Sequence, residues 1–180
     1  MKGLIVLADG FEDVEALAPR DLLVRAGVNM TTASINGGLS VMTSHGVKLF
    51  TDVLLEDVRS EDYDFIILPG GGRGTQNLLR SDLLGSLLLE FNKQKKLISA
   101  ICAAPMVLAK AGLLHNKRFT CFKGCEEGLD GVFTGEEVVK DDNIITGRSM
   151  LYSVPFGLMI IETLLGKEIR AKIEQQIRGV

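Results

Sequence analysis

Cysteine and histidine are scarce in this chain of 180 residues, with three of the first and two of the second. The three Cys show no CxxC spacing, which argues against both a disulfide framework and a zinc site. Positive charge is nowhere concentrated. Twenty Lys and Arg are scattered among 23 Asp and Glu, for a net charge of −3. Without a basic stripe there is no electrostatic case for a nucleic-acid partner. The stretch MKGLIVLADGFEDVEAL meets acidic residues after one short apolar run. Neither a signal peptide nor a membrane span is expected from it. No repeat, low-complexity tract or Pro/Ser-rich linker interrupts the chain. It reads as one cytoplasmic domain over residues 1–180, long enough for one sizeable core, without metal or cofactor.

What is present is an alternation of short apolar runs and helical patterns. Leu4 to Leu7 reads as a buried strand, followed by a turn at 8–12. Apolar residues then recur at helical spacing from Asp13 to Ala26, with Gly27 beyond. Pro19 inside that pattern is expected to kink the helix or mark a restart. Asn29 to Ile35 reads as strand, and Val41 to Phe50 as extended structure broken at Ser44-His45-Gly46. Asp64 to Leu68 is a continuous apolar run, the pattern of a parallel strand covered on both faces. Helices are expected over 75–79, 82–92, 152–165 and 167–177. A short strand is expected over 118–122, and a hairpin over 136–146. Strands alternating with helices predict an α/β fold with a mostly parallel sheet.

The most informative stretch is KKLISAICAAPMVLAKAG, residues 95–112. Leu97 to Ile101 has strand character and Ala103 to Ala111 helix character. Pro105 suits a first helical turn and Gly112 the residue past its end. Cys102 therefore belongs on a sharp strand-to-helix turn, the geometry of a nucleophile elbow. A helix N-terminus would favour its thiolate. The alternative is a buried Cys acting as a small hydrophobe.

Two other turns follow strand ends, and ligand sites in such sheets lie at the carboxyl ends of the strands. Gly70-Gly71-Gly72-Arg73-Gly74 fits neither GxGxxG nor a P-loop. It is either a tight turn that needs positive φ or a device aiming an N–H at an oxyanion, together with that of Ala103. Glu12 and Glu15 flank the first turn. A buried Glu facing Cys102 would stay protonated and donate to sulfur, which makes it an acid/base group.

These residues resemble the DJ-1/ThiJ/PfpI superfamily, on its DJ-1-like branch. The resemblance rests on ADGFEDVEAL, TSHGV at 43–47, DYDFIILPGG with Gln76-Asn77, ISAICAAP, Thr146-Gly147-Arg148 and LLGKE. It implies a flavodoxin-like three-layer sandwich and a homodimer. It implies Cys102 as the nucleophilic, oxidisable Cys, with Glu15 hydrogen-bonding it. Gly71 and Ala103 become the oxyanion-hole amides. Gly70, Gly72 and Arg148 line the pocket; His45 either reaches it from the partner subunit or is a loop residue.

The chain also departs from that pattern. The place of the family's triad His falls near Cys121-Phe122, and neither is a base. The residue after Cys102 is Ala103, where the peptidase branch has His. Ser149-Met150-Leu151 replaces a Gly-Pro-Gly. Cys121 and Cys125 read as packing or surface thiols, and His115 as a surface residue. The expectation is a cofactor-independent enzyme of glyoxalase III or deglycase type, acting on a small reactive carbonyl such as methylglyoxal or its adducts. A redox-responsive protective protein is the alternative, and a cysteine peptidase the weaker one.

Overall fold

Short apolar runs with no polar face can be strands only if both faces are covered. In the computed structural model, which describes all residues 1–180, that is their position. The elements in chain order are β1 (Lys2–Leu7), α1 (Asp13–Arg25), β2 (Asn29–Ser34), β3 (Ser40–Met42), β4 (Lys48–Phe50) and β5 (Val53–Leu54). Then come β6 (Phe65–Leu68), α2 (Gly72–Leu79), α3 (Asp82–Lys93), β7 (Leu97–Ile101) and α4 (Pro105–Lys110). The chain ends with β8 (Arg118–Phe119), β9 (Val132–Phe133), β10 (Val138–Asp141), β11 (Ile144–Gly147), α5 (Ser153–Leu165) and α6 (Lys167–Arg178).

Seven strands form one sheet in the order β10-β11-β7-β6-β1-β2-β5. All neighbours pair parallel except β10 with β11. Alternate residues of each strand feed opposite cores, as the two-residue period of a strand requires. Ile66 and Leu68 join Leu4, Val6, Ile98 and Ala100 under α2, α3 and α4. Phe65 and Ile67 join Ile5, Leu7, Leu97 and Ile101 under α1, α5 and α6. The result is the three-layer flavodoxin-like sandwich.

Several local expectations change. Helix α1 runs through Pro19 without interruption. Gly157 of α5 lies against that proline, where an added Cβ would come within 3.0 Å of Pro19 Cα. The strand expected over 118–122 stops at Phe119 and pairs with β9, outside the main sheet. Thr120 instead gives its N–H to the Thr146 hydroxyl at 2.9 Å. Helix α2 begins at Gly72 rather than Thr75, because Gly71 at φ 89° turns the chain straight out of β6. The segment 41–50 is an antiparallel hairpin of β3 and β4. The short edge strand β5 carries no sequence period that could have announced it.

Candidate active site

Three strand ends come together at the carboxyl edge of the sheet. After β7 the chain turns through Cys102, which takes φ 64°. A left-handed conformation costs a non-glycine residue roughly 1–2 kcal/mol, so the surroundings must hold it. They do so through the backbone. Cys102 N donates to Gly147 O at 2.9 Å, and Phe122 N donates to Cys102 O at 2.8 Å. The next amide closes the elbow, Ala104 N donating to Ile101 O at 3.0 Å.

After β1, the first turns of α1 place Glu15 under this elbow with none of its surface exposed. Its Oε2 accepts from Gly70 N at 2.9 Å, while Oε1 has no hydrogen bond of regular geometry. Gly70, after β6, is where the pieces meet. A Cβ there would sit 2.7 Å from Glu15 Oε2, 2.8 Å from Cys102 Cβ and 2.9 Å from Ile101 O. Only a glycine lets the carboxyl and the cysteine close over that backbone. Gly71 is equally confined, since a Cβ would lie 2.4 Å from Gly10 O. Its N–H, and that of Ala103, pull the Cys102 thiol pKa down.

The electrostatics differ from what a helix N-terminus alone would give. Helix α4 starts at Pro105, and residues 102–104 are turn. Burial and the negative charge of Glu15 push the Cys102 thiol well above its ordinary range, against the lowering pull of the Ala103 and Gly71 amides. Burial also raises Glu15, from 4.5 to about 7; contact with the Cys102 thiol and Gly70 N–H opposes the rise, and Glu12 adds to it. Carboxyl and thiol thus repel each other's charge, and the pair titrates as a unit. A charged Glu15 opposes the thiolate, which is therefore favoured most where the carboxyl holds a proton.

The other expected residues stand further out. Gly72 opens α2 toward solvent, with nothing near its absent Cβ. Arg148 follows the strand that anchors the elbow. Its Nη1 donates to Gly135 O at 2.9 Å, its Nη2 donates to the Tyr152 hydroxyl, and the guanidinium lies 4.6 Å from the Tyr152 ring centre. It has no carboxylate partner. His45 is mostly exposed, and its Nδ1 lies 3.3 Å from Asp13 Oδ2 and 3.7 Å from Glu12 Oε1. Within one chain it meets the start of α1 rather than Cys102. His115 pairs with Asp130 at the surface. Cys121 is fully buried and Cys125 half-buried. The roles of Gly147, Phe122 and Tyr152 gave no signal in the sequence, because two act through backbone atoms and the third through a ring that happens to face Arg148.

Comparison with known proteins gives a consistent result. The sequence model of the DJ-1/PfpI family matches residues 1–163. Protein dj-1beta of Drosophila melanogaster is 38% identical over 180 residues, covering 98% of this chain and 95% of that one. The crystal structure of Drosophila DJ-1beta superposes with a TM-score of 0.92 at 37% identity, over 98% of this chain and 96% of the other. The Caenorhabditis elegans protein named glutathione-independent glyoxalase DJR-1.2 is 35% identical, over 87% of this chain and 84% of its own length. A structure titled Toxoplasma gondii DJ-1, oxidized, has a TM-score of 0.90 at 33% identity, covering 98% and 97%. With the family match spanning most of its length and the same fold in relatives of this similarity, the chain belongs to the DJ-1/PfpI family.

Proposed function

We propose that this protein is a cofactor-independent cysteine enzyme of glyoxalase III or deglycase type, acting on methylglyoxal or its adducts. One observation carries the reading: a fully buried carboxyl that ionises near 7 packs against a cysteine held in a strained turn. A general acid/base works best when its pKa lies near the working pH. A structural carboxylate in the same place would need a cationic partner, and Glu15 forms no ion pair.

In this reading the Cys102 thiolate attacks the aldehyde carbon of methylglyoxal, and the carbonyl oxygen takes a proton to give a hemithioacetal. The amides of Gly71 and Ala103 stabilise the oxyanion on the way. Glu15 removes the proton from the former aldehyde carbon and returns it to the neighbouring carbon, while the hydroxyl proton passes to that carbon's oxygen, which converts the hemithioacetal to a thioester. Water cleaves the thioester, releasing lactate and the thiol. The sum is methylglyoxal plus water giving lactic acid, with no redox partner. The name of the worm relative supports the same class. The test is turnover of methylglyoxal with no added glutathione. Its absence, with the thiol intact, would remove the enzymatic reading.

The redox-responsive reading draws on the solved oxidised relative. Peroxide would oxidise Cys102 in two-electron steps, each releasing water, to a sulfinate bonded by Glu15 and the two amides. Mass spectrometry after mild peroxide tests it. A peptidase is less supported, since Cys121 and Phe122 stand where a triad base would be needed.

The protein is further proposed to be a homodimer. Val14, Leu17 and Val24 leave an apolar stripe exposed on α1, and a second copy would cover it. His45 would then be free to reach the partner's site. Sedimentation as a monomer at micromolar concentration would exclude both ideas.

A further inference from the structure

Beside the Cys102 site, and separate from it, the carboxyl ends of β1 and β2 face the flank of α2 across a cleft of about 490 Å³. That volume is within the range of small-molecule sites. Its polar lining is Asp9, Asn36, Arg73, Asn77, Arg80 and Ser81, with Ile35 the one apolar residue. Positions 73, 77 and 80 are spaced i, i+4 and i+7, so α2 brings them to one face. Neither Arg73 nor Arg80 pairs with any carboxylate, although four other arginines of the chain do.

The floor of the cleft is fixed. Asn77 Nδ2 donates to Asp9 O at 2.9 Å. Asn36 Nδ2 and Met42 N both donate to Asp9 Oδ1, each at 2.8 Å. Asp9 Oδ2 receives none of these bonds. The stem of Arg73 crosses directly over Gly10, where a Cβ would come within 2.6 Å of Arg73 Cβ and 2.9 Å of its Cγ. Gly10 is therefore shaped to let this arginine lie down along the cleft wall.

The cleft thus has two chemically distinct parts. Two guanidinium groups without counter-charges suit a dianion, and their planar forks match phosphate oxygens. A carboxylate with one unused oxygen repels a bare anion but accepts from hydroxyl groups. We propose that this cleft binds a phosphate monoester of a small polyol, with the phosphate on Arg73 and Arg80 and a hydroxyl on Asp9. Sugar phosphates and the ribose-phosphate end of a nucleotide share this chemistry.

The test is calorimetric titration of the full chain carrying Cys102→Ser, which reads binding without turnover. It is therefore independent of the enzymatic reading above. Ribose 5-phosphate is expected to bind, ribose to give no signal, and inorganic phosphate to bind about tenfold or more weakly. Arg73→Gln and Arg80→Gln should each weaken ribose 5-phosphate by about tenfold, the size of one lost charge-assisted contact. Both side chains are exposed, so the fold should survive, and circular dichroism checks that. Asp9→Asn should bring ribose 5-phosphate and inorganic phosphate to similar affinity. Wild-type affinity in both arginine variants would overturn the site. Inorganic phosphate binding as tightly as ribose 5-phosphate to the Cys102→Ser chain would overturn the polyol assignment. AMP in place of ribose 5-phosphate distinguishes the two sources, the tighter one naming the ligand.

Discussion

Cys102 and Cys121 are both thiols taken out of water, and in both burial is the main force raising the pKa. Their second neighbours are alike as well, a carboxylate in each case. Glu126 Oε2 lies 3.9 Å from the Cys121 sulfur, and the thiol there is pushed up to about 12, with Cys125 adding to the rise. What separates the two is the burial of the carboxyl and the presence of donors. Glu126 is half-buried and accepts from Gly124 N at 2.6 Å. Glu15 is buried and ionises near 7. The Ala103 and Gly71 amides also lower Cys102, whereas no amide lowers Cys121. Burial alone makes a thiol inert. In the proposed mechanism, lowering amides and a carboxyl that can hold the proton are what let a buried Cys102 be switched on.

The largest effect should come from removing the proton carrier. Glu15→Gln keeps a donor of similar shape but cannot cycle between acid and base. Methylglyoxal turnover should fall by about 10²–10⁴, while peroxide oxidation of Cys102 persists. Near-normal turnover would erase the distinction between the two thiols' carboxyls.

Next is the pH dependence of stability. Folded Glu15 holds its proton up to about pH 7, and unfolded Glu15 loses it near 4.5. Between these values the folded state binds more protons, so stability is greatest below 4.5 and declines as pH rises toward 7. The decline amounts to about 3 kcal/mol over the window. Denaturant unfolding at pH 5 and 7.5 should show most of it in the wild type and little in Glu15→Gln. A wild-type slope of opposite sign would mean that Glu15 is ionised throughout.

Gly70→Ala sharpens the contrast through packing. The new methyl would force Glu15 and Cys102 apart, at a cost of about 1–3 kcal/mol, and should disable thiol chemistry. Gly124→Ala, beside Cys121, meets nothing within 4 Å and carries only the backbone strain of φ 94°, so it should leave Cys102 chemistry unchanged. The smallest effect is kinetic selectivity. Cys102 is half-buried and Cys121 fully buried, so alkylation with site mapping at neutral pH should label Cys102 first. Earlier labelling of Cys121 would overturn the comparison.

Much of the architecture was legible because its signals are local. The runs Leu4–Leu7 and Phe65–Leu68 had no polar face, which leaves a doubly covered parallel strand as the arrangement that buries them. Ala100, Ala103, Ala104 and Pro105 around Cys102 marked a turn between strand and helix. Less legible were the features that depend on a distant partner. Thr120 leaves its strand for the Thr146 hydroxyl, and Pro19 sits in an unbroken helix beside Gly157. Arg148 is positioned by Gly135 and Tyr152.

By itself the sequence determined the main strands and helices of the sheet and its two layers, that their alternation makes a parallel sheet, and that Cys102 falls at a strand-to-helix turn. Those properties follow from periodicity and turn chemistry within a few residues. Only the tertiary structure decided the ionisation of the site. Glu15 and Gly70 are 55 residues apart in the chain and 2.9 Å apart in space, and Cys102 closes over both. A proton's affinity depends on the solvent excluded and the charges brought near, and both are set by which strand ends the sheet places side by side.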